Sequence, residues 1–321
     1  MLDLIRLSPR RLFPPGGLEL YRQIALLTRM SEEAEVLDAA CGKGVSLEYF
    51  VREFGVHGSG VDPDRTLVEQ AEQRTRALGI ADRLQFQEGR ADALPYRDEI
   101  FDVSVGEVGL AGQCDPRDAV RELVRVTKPG GFVVLVQLVW KAPVDAERQR
   151  VLAEHLGARP RMVVEWKRFL RSAGVEDLHT EDWSDARTSF RATVAKPFPD
   201  FVELFSIGEK IGIMRRAWAQ WGWKGVWTAF SRERAVHRLL TRERILGLDL
   251  LRGRRSVPAD RACESDSEVG EGTAANDGRT EVDAASPATE SGKPRENASA
   301  TIETRDLPLF GDGQDEEDED G

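Results

Sequence analysis

The sequence predicts an α/β fold in which a mostly parallel sheet of seven strands carries helices on both faces. Short apolar runs alternate with amphipathic segments from residue 36 to residue 140, and this alternation is typical of doubly wound parallel sheets. The turn-forming stretch Asp38 to Gly44 follows the first predicted strand. In such a fold, ligands bind at the carboxyl ends of the strands.

The predicted elements follow in regular order. A break at Pro14-Pro15-Gly16-Gly17 precedes apolar residues at helical spacing, which predicts a first helix over Leu18–Leu27. Hydrophobic runs predict strands at Val36–Ala39, Gly58–Val61, Leu84–Gln87, Phe101–Val105 and Phe132–Trp140. Helices are predicted between them at Val45–Phe54, Arg65–Leu78 and Arg117–Thr127. Beyond residue 140 the pattern predicts helix Val163–Ser172, strand Val175–Trp183, helices Phe201–Gln220 and Ser231–Arg242, and a closing strand Arg244–Arg254.

Charge divides the chain into two parts. The whole chain has 45 basic and 56 acidic residues, and residues 256–321 alone carry 5 basic and 19 acidic ones. A segment with so much net charge and so few large apolar residues cannot fold alone, so a disordered acidic tail is predicted over 256–321. One domain is expected over residues 1–255, with an N-terminal lid helix in 1–30 and a helical insertion, capping the substrate, at 184–241.

Composition also limits the class of protein. The cysteines Cys41, Cys114 and Cys263 are scattered and form no C-x-x-C pair, which argues against a disulfide framework and a zinc site. No run approaches the ~20 apolar residues of a membrane-spanning helix. A soluble cytoplasmic protein without a bound metal is therefore expected.

The turn after the first strand is the most informative segment. It contains Gly42 and Gly44, which let the main chain pass close to a ligand, and a side chain at either position is expected to intrude. Dinucleotide sites need a small residue three positions after the second glycine, and this chain has Leu47 there. Asp62, at the end of the second strand, is placed to bind a ribose diol. The turn therefore predicts a nucleoside ligand other than a dinucleotide.

Four sequence blocks occur in an order and spacing that carry a family resemblance. They are Val36–Gly44, Gly60–Asp62, Gly89–Tyr96 followed by Phe101–Val103, and Arg125–Gly131. With these blocks, the chain resembles the class I S-adenosylmethionine-dependent methyltransferases, in the small-molecule branch that includes ubiquinone and menaquinone C-methyltransferases. The resemblance spans Val36 to Leu138 and implies a Rossmann-like fold and S-adenosylmethionine as cofactor.

The resemblance also implies which residues contact the cofactor. Asp38 and the main chain at Gly42 and Gly44 would hold the methionine end, and Asp62 the ribose hydroxyls. The full predicted set is Asp38, Ala40, Gly42, Gly44, Asp62, Pro63, Arg90, Ala91, Gly106 and Glu107. Arg90 departs from the family, which usually has Asp there to accept a hydrogen bond from the adenine amino group. Because arginine can only donate, a backbone carbonyl or Asp92 would have to accept instead.

Methyl transfer from a sulfonium mainly requires that two reactants be positioned and water excluded, so the reaction needs no metal. Where the acceptor loses a proton, a general base must lie near the transferred methyl group. Glu107, just after the fourth strand, is the candidate, and a structural or cofactor-binding role is its alternative. Substrate contacts are predicted for Tyr21, Trp218 and Trp221.

The stretch Met214–Trp227 lies inside the predicted insertion and combines four of the seven tryptophans with basic residues. Three interpretations are open: packing of the cap onto the sheet, an aromatic pocket for a flat or apolar acceptor, and a helix lying on a membrane surface. Nucleic acid is disfavoured as a partner. The tail is anionic, and Gly106-Glu107-Val108-Gly109 stands where enzymes acting on nucleic acid have an Asn/Asp-Pro-Pro-Tyr block.

Two hypotheses for function follow. The first is a methyltransferase acting on a small molecule, aromatic or lipid-like as a quinone is. The second is a catalytically inactive protein of the same fold that binds or tethers a partner protein through its acidic tail. Within that tail, Asp306-Leu307-Pro308-Leu309-Phe310 resembles the short motifs with which bacterial proteins dock on the DNA sliding clamp.

Overall fold

A computed structural model describes residues 16–147, 149–150, 153, 158–184, 206–241, 243 and 245–258. All of them belong to the compact unit Met1–Ala259. Apart from residues 256–258, the predicted acidic tail, with its segment Asp306–Phe310, lies outside the described residues. Residues 1–15 and residues 185–205 of the predicted insertion also lie outside them.

The described chain alternates strands and helices. Its helices are α1 Gly17–Thr28, α2 Val45–Phe54, α3 Arg65–Leu78, α4 Leu110–Gln113, α5 Pro116–Val126, α6 Val163–Ser172 and α7 Ile207–Thr241. Its strands are β1 Glu35–Ala39, β2 His57–Asp62, β3 Leu84–Glu88, β4 Phe101–Gly106, β5 Thr127–Trp140, β6 Arg161–Met162, β7 Val175–Asp182 and β8 Leu246–Arg255.

Local sequence explains where several helices begin and end. The Asp64 carboxylate accepts a hydrogen bond from the Thr66 amide at 3.0 Å, which caps the start of α3. Asp115 does the same for α5, where Pro116 occupies the first helical position. Helix α3 ends at Gly79, whose φ of 70° is the left-handed conformation that glycine adopts without strain.

The strands form one sheet in the order β3-β2-β1-β4-β5-β8-β7, with the short β6 beside the end of β5. The pairs from β3 to β5 are parallel, and β8 runs antiparallel to both β5 and β7. The predicted doubly wound, mostly parallel sheet is confirmed. The structure adds two elements that were not predicted, β6 and α4, because two and four residues are too short to show a periodicity.

Two apolar clusters cover the two faces of the sheet. One contains Leu20, Ile24 and Phe50, and so joins α1 and α2 to the sheet. The other contains Leu123 and Trp166, which belong to α5 and α6. This two-sided burial explains why β1, β4 and the middle of β5 contain runs of four or five consecutive buried residues.

The order of the strands determines where a ligand can enter. Strand β1 lies between β2 and β4, and the register pairs Ala39 with Gly106 at their carboxyl ends. The helices that follow β1 and β4 pack on opposite faces of the sheet, which opens a crevice outside these strand ends. The segments after β1, β2 and β4 therefore meet at one edge.

Helix α7 lies between β7 and β8 in the chain, within the range predicted as an insertion. Its backbone is broken once, at Gly222, whose φ and ψ are 65° and −179°. We predicted two helices separated at residues 221–230, whereas the structure continues the helix through most of that range. Within the described residues, no helix combines the length and the apolar character needed to cross a membrane.

Candidate functional site

The turn after β1 is built from left-handed backbone. Ala40, Gly42 and Gly44 have φ values of 67°, 54° and 66°. The amides of Ala40 and Cys41 donate to the Val61 carbonyl at 2.8 and 3.2 Å, which ties the turn to the end of β2. A left-handed alanine costs about 1–3 kcal/mol, so the surrounding hydrogen bonds must hold Ala40 in place.

The two glycines of this turn face different surroundings. A Cβ at Gly42 would meet no atom within 4 Å, whereas a Cβ at Gly44 would lie 2.3 Å from the Phe86 ring. We expected a side chain at either position to intrude on a ligand. At Gly44 the obstacle is Phe86 of β3, so this glycine is required for packing, and Gly42 is the position that borders open space.

Asp62 closes the turn from the β2 side. Its Oδ2 accepts a hydrogen bond from the Gly42 amide and its Oδ1 from the Asp64 amide, both at 3.0 Å. A carboxylate has about four acceptor sites, so each oxygen can accept one more hydrogen bond, for example from a hydroxyl. The structure thus brings Asp62 and Gly42 together, while the neighbouring Pro63 is exposed.

An acidic cluster, formed by Asp38, Glu107, Tyr21 and Ser46, lies below the turn. All four residues are buried. The Tyr21 hydroxyl donates to Glu107 Oε1 at 2.9 Å, and the Ser46 hydroxyl donates to Asp38 Oδ2. The cluster joins α1, β1, α2 and the end of β4, so residues more than 80 positions apart in sequence form one polar group in the core.

Burial is the main influence on the acids of this cluster. Removal from water raises the pKa of Glu107 to about 7, and burial followed by the nearby Glu107 charge raises the pKa of Asp38. The pKa of Tyr21 is also raised, first by burial and then by the charge of Glu107. Two adjacent carboxylates cannot both be ionised at low cost, so the pair holds a proton or needs a cation.

Asp38 is the least satisfied member of the acidic cluster. Among the residues that the structure describes, none donates a hydrogen bond to its buried Oδ1. An ammonium or other cationic donor would complete the carboxylate and stabilise its charged form. Together with the open side of Gly42, this acceptor fits the methionine end of S-adenosylmethionine, which carries an ammonium and a sulfonium.

Gln137 is a site residue that we did not predict. Its Nε2 donates to the carbonyl oxygens of Gly106 and Glu107 at 2.9 and 2.8 Å, which fixes the backbone where β4 ends. It is also the one polar residue in the predicted strand Phe132–Trp140. That isolated amide was the signal, because a buried amide needs partners.

A second buried carboxylate anchors α1, the predicted lid helix, to β7. Glu181 accepts from Gln23 Nε2 at 2.8 Å and from Trp183 Nε1 at 3.0 Å, and its Oε1 lies 2.9 Å from His179 Nε2. Through Tyr21 and Gln23, α1 therefore bonds to the ends of both β4 and β7. Nothing in the local sequence of α1 indicated these contacts.

Arg90, the residue that departs from the family pattern, turns toward Asp92. Its Nε and Nη2 lie 2.9 and 2.6 Å from the two Asp92 oxygens, and its side chain is 59% exposed. The neighbouring Ala91 is buried. The Arg90 side chain is thus held by Asp92, so an acceptor for an adenine amino group at this position is the main chain near Arg90 and Ala91 or a free lone pair of Asp92.

The three predicted substrate residues occupy different places. Tyr21 is buried in the acidic cluster, where it holds Glu107. Trp221 is partly buried on α7, and Trp218 exposes 65% of its surface. A cavity of about 630 Å³ is lined by Gly212, Arg215, Arg216, Trp218 and Ala219 of α7.

A family model and curated relatives match parts of the chain. Residues 36–131 match a family described as a methyltransferase domain. The methyltransferase GfsG of Streptomyces halstedii is 28% identical over 216 residues, which are 63% of this chain and 74% of that protein. The ubiquinone/menaquinone biosynthesis C-methyltransferase UbiE of Idiomarina loihiensis is 32% identical over 119 residues, 36% of this chain and 47% of that protein.

Solved structures share the fold at low sequence identity. The cyclase SpnF has a TM-score of 0.59 and 23% identity, covering 74% of this chain and 81% of that one. The geranyl diphosphate C-methyltransferase of Streptomyces coelicolor A3(2), solved with S-adenosyl-L-homocysteine, has a TM-score of 0.53 and 17% identity, covering 74% of this chain and 79% of that one. Identities this low establish the fold alone.

These matches agree with the four sequence blocks. They give no support to the hypothesis of a catalytically inactive protein. The methyltransferase domain makes the protein an enzyme whose cofactor is S-adenosylmethionine. Over residues 36–131 it is a class I S-adenosylmethionine-dependent methyltransferase, of the type that acts on small molecules.

Proposed function

We propose that this methyltransferase acts on a small, largely apolar acceptor at the carboxyl edge of the sheet, between the acidic cluster and the insertion that carries α7. The observation that carries the proposal is the buried Asp38 Oδ1, to which no described residue donates, together with the open space at Gly42 of the following turn. A cation-bearing nucleoside fits both features. A neutral or anionic nucleotide would leave the acidic cluster without a counterion.

Each predicted cofactor residue has a proposed role in this arrangement. Asp38 accepts from the amino group of the methionine end, and the main chain at Ala40 and Gly42 lines the same end. Asp62 accepts from the ribose hydroxyls with its remaining lone pairs. Gly44 supports the turn by packing against Phe86.

The other end of the cofactor is assigned to the turns after β3 and β4. Pro63, Arg90 and Ala91 border the adenine, with Arg90 contributing its backbone because its side chain is paired with Asp92. Gly106 and Glu107 form the wall between cofactor and acceptor, and Gln137 holds their carbonyl oxygens in position.

When bound, S-adenosylmethionine supplies an electrophilic methyl group on a sulfonium leaving group. The chain aligns the acceptor with that methyl group so that a bond to the acceptor atom forms as the carbon–sulfur bond breaks. The bonding electrons leave with the sulfur, and any proton on the acceptor atom passes to a base. We assign that base to Glu107, because a carboxyl group with a pKa of about 7 can accept a proton near neutral pH.

The acceptor class rests on composition and on the names of relatives. Two proteins similar to this chain are named as acting on ubiquinone or menaquinone precursors and on geranyl diphosphate. The insertion supplies aromatic residues of the kind that line apolar pockets, including Trp218 and Trp221. We therefore propose an aromatic or isoprenoid small molecule.

Calorimetric titration with S-adenosyl-L-homocysteine tests the cofactor site, using Gly42→Ala and Gly79→Ala as a matched pair. Both glycines have positive φ and neither would crowd a new Cβ, so each variant should lose about 1 kcal/mol of stability. Only Gly42→Ala should lose affinity, by at least about tenfold. Equal affinities in the two variants would show that the cofactor does not bind at the open side of Gly42.

The acceptor can be identified by incubating the enzyme with S-adenosylmethionine and fractionated metabolite extracts. We expect an apolar fraction to gain one methyl group by mass spectrometry. The Glu107→Gln variant should retain cofactor affinity within about tenfold but lose the rise in rate with pH that a base produces. Methylation confined to polar, water-soluble compounds would overturn the proposed acceptor class.

A further inference from the structure

We propose that α7 docks on an anionic lipid bilayer through an aromatic stripe formed by Trp223, Trp227 and Phe230. This proposal concerns a surface of the protein, so it stands or falls separately from the cofactor site. The three residues occupy positions i, i+4 and i+7 after the break at Gly222, which places them on one face of the helix. Their exposed fractions are 71%, 66% and 38%.

The same segment is packed against the protein along the side that adjoins the stripe. Val226 and Ala229 are buried there, so the helix is anchored on that side while the stripe is uncovered. The segment before the break repeats this arrangement, with Ile213 and Ala217 buried and with Ile207 and Ile211 exposed over more than half of their surface. An apolar surface of this extent marks an interaction site.

Charge identifies the partner. Between Lys210 and Phe230 the sequence has four basic residues and no acidic one, the basic residues being Lys210, Arg215, Arg216 and Lys224. Arg234 continues the face of the aromatic stripe at position i+11 and is exposed. Tryptophan combined with lysine and arginine is the pattern of helices that lie in the interface of an anionic bilayer. A second copy of the chain would instead place these cations against each other.

The sheet topology places the insertion that contains α7 at the same edge of the sheet as the acidic cluster. Strand β7 ends and β8 begins at the edge where β5 ends, since β8 runs antiparallel to both. The insertion that contains α7 therefore leaves and rejoins the sheet at the edge that carries the acidic cluster. Docking of α7 would bring this edge to the bilayer surface, where an apolar acceptor is concentrated.

Vesicle sedimentation with the full-length protein tests the proposal. We expect binding to vesicles that contain phosphatidylglycerol, with a blue shift of tryptophan fluorescence, and little binding to pure phosphatidylcholine. Raising the salt from 0.05 to about 0.5 M should weaken binding, because the attraction is screened over about 10 Å at 0.1 M. The double variant Trp223→Ser/Trp227→Ser should bind about tenfold less, and Lys224→Gln about fivefold less.

Matched control variants distinguish binding through the aromatic stripe from non-specific hydrophobic binding to vesicles. Leu26→Ser on α1 and Val164→Ser on α6 remove apolar residues that are 61% and 63% exposed elsewhere. These variants should bind vesicles as the unchanged protein does, and circular dichroism should show that all variants fold. The double variant should also keep its affinity for S-adenosyl-L-homocysteine, so failure here is separate from failure of the proposed function.

Two results would overturn the proposal. One is the absence of binding to phosphatidylglycerol vesicles at low salt, or an equal loss of binding in the control variants. The other is a dimer in analytical ultracentrifugation that the Trp223→Ser/Trp227→Ser variant abolishes while vesicle binding is unaffected. That outcome would assign the aromatic stripe to a second copy of the chain.

Discussion

The acidic cluster and helix α7 break the usual rules of burial in opposite ways. In the cluster, Asp38 and Glu107 are acidic residues inside the protein, and no residue that the structure describes donates to Asp38 Oδ1. On α7, Trp223 and Trp227 are large apolar side chains in water. Buried acids are normally paired, and exposed apolar patches are normally small. The first departure suits a small cationic ligand, and the second suits a broad surface.

The largest effect that separates the two regions is expected for Asp38→Ala. Loss of the carboxylate removes the proposed buried partner of the cofactor amino group, which should lower affinity about a thousandfold, or by ~4 kcal/mol. Isothermal titration with S-adenosyl-L-homocysteine measures the change. The Trp223→Ser/Trp227→Ser variant is the comparison and should bind within about twofold of the unchanged protein. If both variants lose the same affinity, the two regions do not act independently.

The pH dependence of stability should come from the acidic cluster and not from α7. The folded pKa of Glu107, about 7, exceeds the ordinary value of 4.5, so the folded state binds more protons between these values. The free energy of unfolding of the cofactor-free protein should therefore fall as pH rises from about 4.5 through 7, by about 3 kcal/mol. The raised pKa of Asp38 acts in the same direction.

Urea denaturation at several pH values measures this decrease. Glu107→Gln should flatten the profile in that range and make the protein more stable above pH 7, because a neutral amide replaces a buried charge. The Tyr21→Phe variant tests the hydrogen bond between Tyr21 and Glu107 by removing its donor. Removing the hydroxyl that donates to Glu107 should make the decrease with pH steeper. A profile that rises from pH 5 to pH 7 would contradict the protonation of this cluster.

The succession of strands and helices along the chain could be predicted from the sequence. The side-chain contacts between elements that are distant in sequence could not. The periodicity of Arg65–Leu78 and Val163–Ser172 predicted α3 and α6 with the bounds that the structure shows. Tyr21, in contrast, reaches Glu107 across 86 positions of sequence. Such a contact depends on how two elements pack, and no local pattern records it.

The turn glycines show the same limit at a smaller scale. A glycine motif indicates where the main chain needs freedom, and the structure has both Gly42 and Gly44 in the left-handed conformation. It does not tell which glycine borders open space and which borders Phe86, because Phe86 comes from β3, some 40 residues later. The role of each glycine is therefore visible only once the strands are in place.

An intermediate effect is expected for Gly44→Ala. The new Cβ would lie 2.3 Å from the Phe86 ring, and φ is 66°, so the variant combines overpacking with backbone strain. Its free energy of unfolding should drop by about 2–3 kcal/mol. Gly79→Ala, with similar φ but open space, should lose only about 1 kcal/mol. Thermal denaturation compares the two variants.

A second substitution sharpens the test of Gly44. Phe86→Leu alone should destabilise the protein by creating a cavity, whereas added to Gly44→Ala it should relieve the overpacking, so the two effects are not additive. Additive effects would mean that Gly44 is required for a reason other than the Phe86 ring.

The smallest effect is expected for Arg90→Ala, although Arg90 lies at the same edge as the acidic cluster. Its side chain is 59% exposed and pairs with Asp92, and exposed pairs of this kind contribute little to stability. Stability should change little, and affinity for S-adenosyl-L-homocysteine by less than about threefold. Asp92→Ala should behave alike, because each variant breaks the same pair. A tenfold loss in Arg90→Ala alone would mean that the guanidinium itself contacts the adenine ring. At this edge of the sheet, the expected effect of a substitution is therefore largest for a buried side chain whose polar atoms lack protein partners and smallest for an exposed side chain that is already paired.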